Sequence, residues 1–191
     1  MKQWKGKIEF MEVQMNKIVV VYRSKSGYTK KYAEWIAKTT GADLLLGNNT
    51  RIDDLLNYDT IVFGGALYAG GINGIKLILN NYEKLKDKKV IIFCLGASPV
   101  RPEIYEEVKN NNLTNEQQQT IDFFMIRGGF DYSKLTLVDK ILMNILKFKL
   151  KRKKNPTADE RGMLNSYTHP CDFTDEKSIN PILQSLGVHN K

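Results

Sequence analysis

The chain has 191 residues, of which 42% are apolar and 26% charged, with a formal net charge of +8. That profile suits one globular domain with a substantial core and excludes a disordered or collagen-like chain. No apolar run approaches the roughly 20 residues that a membrane-spanning helix needs.

The charge is local. Residues 134–154 carry eight Lys/Arg against Asp139 alone, whereas the chain outside this segment and the first fourteen residues is neutral. Cys94 and Cys171 have no metal-ligand spacing and read as reduced thiols of a cytoplasmic protein. With only His169 and His189 available, a histidine-based metal site is not expected.

Residues 1–14 follow neither a helical nor a strand period. Codons for Met11-Glu12-Val13 can contain a ribosome-binding sequence, so translation is expected to start at Met15. Residues 1–14 then form a non-native or flexible leader, and residues 15–191 a single domain. Ile18-Val19-Val20-Val21-Tyr22 is a continuous apolar run of strand character. It enters the turn Ser24-Lys25-Ser26-Gly27-Tyr28-Thr29, which opens a helix expected over residues 30–39. A second strand is expected at residues 42–46 and a helical turn at 53–56. A third strand at residues 60–63 runs into Gly64-Gly65-Ala66-Leu67-Tyr68-Ala69-Gly70-Gly71, expected to be a loop. Apolar residues at helical spacing predict a helix over residues 72–85. A fourth strand at 90–95 leads into the loop Leu95-Gly96-Ala97-Ser98-Pro99. After a helix at 102–109 and a polar stretch at 110–120 comes a fifth strand at 123–127. The last helix is expected at 175–186, interrupted or restarted at Pro181. Apolar strands alternating with helices predict a parallel sheet covered on both faces.

The turn at residues 24–29 has the chemistry of an anion site. First-turn N–H groups lack intrahelical partners and carry partial positive charge. Gly27 lets backbone approach an anion, Ser24, Ser26, Tyr28 and Thr29 offer hydroxyls, and Lys25 adds charge. An ordinary strand-to-helix turn capped by Thr29 is the alternative. Neither G-x-x-x-x-G-K-[ST] nor G-x-G-x-x-G is present, and a single glycine among hydroxyls suits a monophosphate better than a pyrophosphate.

Residues 24–29 match [ST]-x-[ST]-G-x-T, and on that motif the chain resembles the flavodoxin-like domains that bind flavin mononucleotide (FMN). The resemblance implies a doubly wound α/β fold with five parallel strands in the order 2-1-3-4-5, and a ligand at their carboxyl ends. It implies three cofactor loops. Ser24, Lys25, Ser26, Gly27, Tyr28 and Thr29 would hold the phosphate. Gly65, Ala66, Leu67, Tyr68, Ala69 and Gly70 would border the isoalloxazine, with Tyr68 stacking on it. Leu95, Gly96, Ala97 and Ser98 would present backbone N–H groups to its pyrimidine side. The third loop departs from electron-carrier flavodoxins: residues 95–100 contain no acid and no aromatic. That speaks against a very low-potential carrier.

Lys140, Asn144, Lys147, Lys151 and Lys154 form one polar stripe of a helix, beside Leu135, Val138, Ile141, Leu142, Ile145, Leu146 and Phe148. The pattern fits a helix in a membrane interface, or a core-facing helix with a solvated basic face. Nucleic-acid binding is not expected, for want of a recognisable module. A long basic, apolar insert before the last helix, here at about 131–156, is similar to that of the menaquinone-dependent protoporphyrinogen oxidases. Arg127-Gly128-Gly129-Phe130-Asp131-Tyr132 and Val138-Asp139-Lys140-Ile141-Leu142-Met143 carry this likeness. It implies an FMN-dependent oxidoreductase on a small-molecule redox substrate, protoporphyrinogen IX, with menaquinone as acceptor. It also implies an anionic membrane surface as partner through residues 134–154, at the inner face of the cell membrane. A soluble flavodoxin-type electron carrier and a non-catalytic FMN-binding protein are the alternatives.

Overall fold

The structure, a computed structural model, describes residues 16–68 and 70–188. The expected leader, the Met15 start, Ala69 and His189 lie outside the described residues. Five strands, β1 (Ile18–Arg23), β2 (Asp43–Leu46), β3 (Thr60–Tyr68), β5 (Lys89–Gly96) and β6 (Ile121–Arg127), form a parallel sheet in the order β2-β1-β3-β5-β6. With the two-residue β4 (Gly71–Ile72) set aside as an antiparallel appendage of β3, this is the expected 2-1-3-4-5 order. Between and around the strands run α1 (Tyr28–Thr40), α2 (Ile52–Leu55), α3 (Lys76–Leu79), α4 (Pro102–Asn112) and α5 (Asn115–Thr120).

Val19, Val20 and Val21 show why β1 has no polar alternation. All three are fully buried, but Val19 and Val21 join a core with Leu55, Ile78 and Leu85, while Val20 joins the opposite core with Tyr32, Ile36 and Ile182. Each face of the sheet therefore has its own helix layer. The last helix, α8 (Asn180–Ser185), follows a 3₁₀ turn at Glu176–Ile179 and packs beside α1. Tyr32 ties the layer together: its hydroxyl donates to the Arg127 carbonyl at 2.9 Å and accepts from the Asp175 N–H at 3.0 Å.

Two expectations need correction. The glycine-rich stretch after Phe63 is not a loop until after Tyr68, because Gly64, Gly65 and Ala66 stay in register with Phe93, Cys94 and Leu95. A Cβ on Gly64 would overlap the Phe93 ring, so this glycine makes room for a core aromatic. The helix expected over 72–85 is broken. Ile72 pairs with Leu67 in β4, Gly74 turns at φ 80°, and only α3 and a 3₁₀ turn at Tyr82–Leu85 remain helical.

The insert is longer than the expected 131–156. It runs from β7 (Gly129–Phe130) to its antiparallel partner β8 (Cys171–Asp172), and holds α6 (Leu137–Arg152) and α7 (Ala158–Ser166). Thr136 caps α6 by accepting from the Asp139 N–H, and Thr157 with Glu160 forms a capping box on α7. The Tyr167 hydroxyl donates to the Met143 carbonyl at 2.5 Å and pins α6.

Candidate functional site

The carboxyl ends of β1, β3 and β5 bring the three expected loops to one edge of the sheet. At the first, α1 begins at Tyr28, earlier than expected, with Gly27 as its N-cap at φ 95° and no side-chain cap. Thr29 is thus not the cap but a first-turn residue, and it is buried. Gly27 is exposed, and a Cβ there would meet nothing within 4 Å, which leaves the helix terminus open to an anion. Ser24 Oγ accepts from the Gly27 N–H at 3.0 Å and so shapes the turn. Tyr28 faces the insert: a Cβ on Gly129 would come within 2.6 Å of its ring, and burial followed by the Asp172 carboxylate raises its pKa.

At the second, Gly65 faces inward, where a Cβ would lie 2.5 Å from Ile72 Cγ2 and 2.7 Å from the Asn73 carbonyl oxygen. Ala66 and Leu67 are strand residues, Gly70 is an exposed turn residue at φ 81°, and Ala69 lies outside the described residues. The ring face of Tyr68 carries the Lys25 ammonium, 3.7 Å from its centroid. The Tyr68 hydroxyl is buried and makes no hydrogen bond among the described residues. Burial, and then the neighbouring Asp139 carboxylate, push its pKa up.

At the third, Leu95 and Gly96 end β5, and the Gly96 carbonyl accepts from the Gly128 N–H at 2.8 Å. Ala97 and Ser98 form the bend that follows, Ser98 exposed. Arg127 Nε donates to the Ala97 carbonyl at 3.2 Å, and its guanidinium lies 3.5 Å from the centre of the Phe173 ring. Among the described residues no carboxylate pairs with Arg127. Cys94, one residue before this loop, is fully buried, and burial pushes its thiol up to about 12; it is a core residue.

Sequence reasoning missed two residues here. Arg127 closes a strand, and the stretch 127–132 carried a family likeness without placing the guanidinium at the third loop. Asp139 lies in the first turn of α6, yet its carboxylate forms an ion pair with Lys25 and accepts from Thr136 Oγ1 at 2.8 Å. Burial pushes its pKa up, but the hydrogen bonds from Lys25 and Thr136 prevail and hold it below the ordinary value. The grooves at the opposite end of the sheet, near Lys17, Gly41 and Tyr58, gather no comparable chemistry. Among the described residues no group of side chains could hold a metal ion.

The orientation of α6 runs against its amphipathic pattern. Asp139, Met143 and Leu150 are buried, and Lys140 and Lys147 turn inward over the Tyr132 and Tyr167 rings at 5.8 and 4.8 Å. Leu137, Val138, Ile141, Leu142, Ile145 and Phe148 face outward, with 81% of Leu137 and 61% of Ile141 exposed. Among the described residues no helix is long and apolar enough to cross a membrane.

A family model described as "Flavodoxin domain" matches residues 19–157. Among solved structures, one from Bacteroides eggerthii, provisionally identified as a flavoprotein, shares 15% identity over 91% of this chain and 99% of its own, at TM-score 0.48. A flavodoxin, WrbA-like protein from Agrobacterium tumefaciens shares 21% identity over 65% of this chain and 87% of its own, at TM-score 0.41. A flavoprotein in complex with FMN from Lactobacillus acidophilus shares 20% over 59% of this chain and 93% of its own, at TM-score 0.39. No curated protein matches the chain significantly.

Proposed function

Because the chain belongs to the flavodoxin-domain family, we propose that it binds FMN at the carboxyl edge of its sheet and acts as an FMN-dependent oxidoreductase. The carrying observation is the open turn at Gly27, a left-handed N-cap without a Cβ neighbour at the head of a 13-residue helix. The residues present fit the cofactor: Ser24, Ser26 and Thr29 surround that terminus, and the buried Tyr68 hydroxyl, beside the Asp139 carboxylate, makes no hydrogen bond among the described residues.

FMN supplies the redox chemistry, taking up and passing on electrons in ones or pairs. The chain's own residues hold and tune it. Ser24, Ser26, Thr29 and the first-turn N–H groups of α1 bind the phosphate. The bend at Ala97 and Ser98 offers backbone to the pyrimidine edge. Arg127, with no carboxylate partner among the described residues, sets a positive charge beside that bend. No carboxylate from residues 95–100 opposes it.

The finer reading is oxidation of protoporphyrinogen IX with a membrane quinone as acceptor. In each turnover two electrons and two protons leave the porphyrinogen, and one quinone becomes a quinol. The outward apolar face of α6 supports it, since a quinone is reached through lipid. The segment around it carries a surplus of seven positive charges. That surplus fits an anionic lipid surface and makes two such faces on separate copies repel.

FMN titration followed by flavin fluorescence tests the first level. FMN should bind stoichiometrically and more tightly than riboflavin, and Ser26→Ala with Thr29→Ala should remove that preference. Mixing the loaded protein anaerobically with protoporphyrinogen IX and a menaquinone analogue tests the second, through porphyrin fluorescence. FMN binding without porphyrin formation above the uncatalysed rate would remove the porphyrinogen assignment alone. Absence of FMN binding would remove both.

A further inference from the structure

The phosphate loop and the insert helix lie 114 residues apart in the chain, yet they meet through one ion pair, Lys25 Nζ with Asp139 Oδ1. Among the described residues, this is the side-chain bond that ties the turn Ser24-Lys25-Ser26-Gly27 to the rest of the molecule; its other one, Gly27 N–H to Ser24 Oγ, is internal. Asp139 is only 4% exposed, unusual for a carboxylate unless it is paired. Its second oxygen is taken by Thr136 Oγ1, which also accepts the Asp139 N–H as the cap of α6. The Lys25 ammonium, so held, lies on the ring face of Tyr68 at the end of β3. One carboxylate therefore joins the phosphate turn, the strand end beside it and the first turn of the insert.

We propose that Asp139 is a positioning residue of the cofactor site, which fixes the phosphate turn through Lys25 and makes the first turn of α6 a wall of that site. The inference rests on the FMN reading given above. Releasing Lys25 would leave Asp139 as an uncompensated buried charge, a strongly unfavourable state. The pair therefore stays closed when FMN binds, and the Tyr68 face under Lys25 is not a stacking surface. Because both sites act on the same pair, the linkage is reciprocal: a seated insert favours the phosphate, and the bound phosphate steadies the insert.

The test measures FMN and riboflavin affinity, and hydrogen exchange over residues 137–143 with and without FMN, in the full chain. In wild type, FMN should slow exchange over 137–143 and riboflavin should do so less. Asp139→Asn should weaken FMN about tenfold or more, the size expected when a charge-assisted contact is lost, and riboflavin far less. It should also abolish the FMN effect on exchange, and Asp139→Glu should restore part of both. Equal losses for the two cofactors would indicate a merely structural role and overturn the proposal, as would unchanged or tighter FMN binding. If Asp139→Asn does not fold, Lys25→Gln breaks the pair from the loop side. It should speed exchange over 137–143 in cofactor-free protein, and an unaltered pattern there would equally overturn it. Failure of wild type to bind FMN needs no variant to detect, and it would remove the underlying reading together with this one.

Discussion

Lys147 stands with its ammonium 4.8 Å from the centre of the Tyr167 ring, on the side of α6 that faces the protein. With Lys140 over Tyr132, it occupies space that an amphipathic helix ordinarily gives to its leucines. Cation–π contact compensates the lysines there, and the apolar residues are left on the outer surface.

This inversion separates stability from surface binding. Leu142→Asn with Ile145→Asn should barely change the melting temperature, since both side chains are already exposed. The same pair should remove the salt-resistant part of binding to anionic vesicles. Met143→Ala, on the buried face, should instead cost about 2–5 kcal/mol in denaturant unfolding. Lys149→Glu with Lys151→Glu should remove the salt-sensitive part of vesicle binding, on a scale of about 1 kcal/mol per residue. A leucine–isoleucine double mutant that melts far below wild type, with wild type indifferent to vesicles, would make the outer face structural.

The packing of Gly64 against Phe93 gives a second prediction. Gly64→Ala should destabilise by about 1–3 kcal/mol, because the added methyl group enters the space of the Phe93 ring. Phe93→Leu should recover part of that loss in the double mutant, measured by urea unfolding. Independent, additive effects of the two changes would contradict the overlap.

Acid should unseat the insert. The folded pKa of Asp139 lies below its unfolded value, so between the two the unfolded chain binds more protons and stability rises with pH. This contribution is complete above an unfolded value of about 3.9 and is lost as pH falls through the lower folded value. Lys25, Thr136 and Tyr68 are the groups that face this carboxylate. Denaturant midpoints followed from about pH 6 to about pH 3 should therefore fall less steeply in Asp139→Asn than in wild type. Parallel curves would assign the acid limb to other carboxylates.

Arg127→Met should lower the midpoint potential of the FMN-loaded protein. A positive charge beside the third loop favours the more negative, reduced form, and about 1.4 kcal/mol of lost attraction corresponds to about 59 mV for one electron. Arg127→Lys should fall between the two. A potential unmoved by Arg127→Met would show that its guanidinium acts on Phe173 and Ala97 alone.

How much of this was legible in the residues follows from how local each cause is. Val19-Val20-Val21 announces a strand buried on both faces, because the whole signal lies within the run. The turn at residues 24–29 shows its chemistry in the same way. Gly64 and Gly65 read as loop, and nothing near them in sequence reveals that Phe93 and Ile72 demand the missing Cβ atoms. The stripe of α6 shows its two faces but not which one turns inward. That choice depends on Tyr132 and Tyr167, which meet only when the insert closes, with ring centres 5.3 Å apart. The pairing of Asp139 was hidden for the same reason, since its partner Lys25 is distant in the chain.

The position of α8 bears on how the protein is made. Ile179, Ile182 and Leu183 cover the same side of the sheet as Val20, Val62, Ile91 and Phe93, but they follow every strand and the whole insert in the chain. During synthesis the strands therefore leave the ribosome with one apolar face partly uncovered, and α1 alone guards it until residue 183 appears. The charged, self-repelling insert emerges in that interval, and its surplus of positive charge opposes association between nascent chains. A ribosome stalled before α8 should hold a chain that chaperones bind, whereas the chain released with α8 should not be held by them.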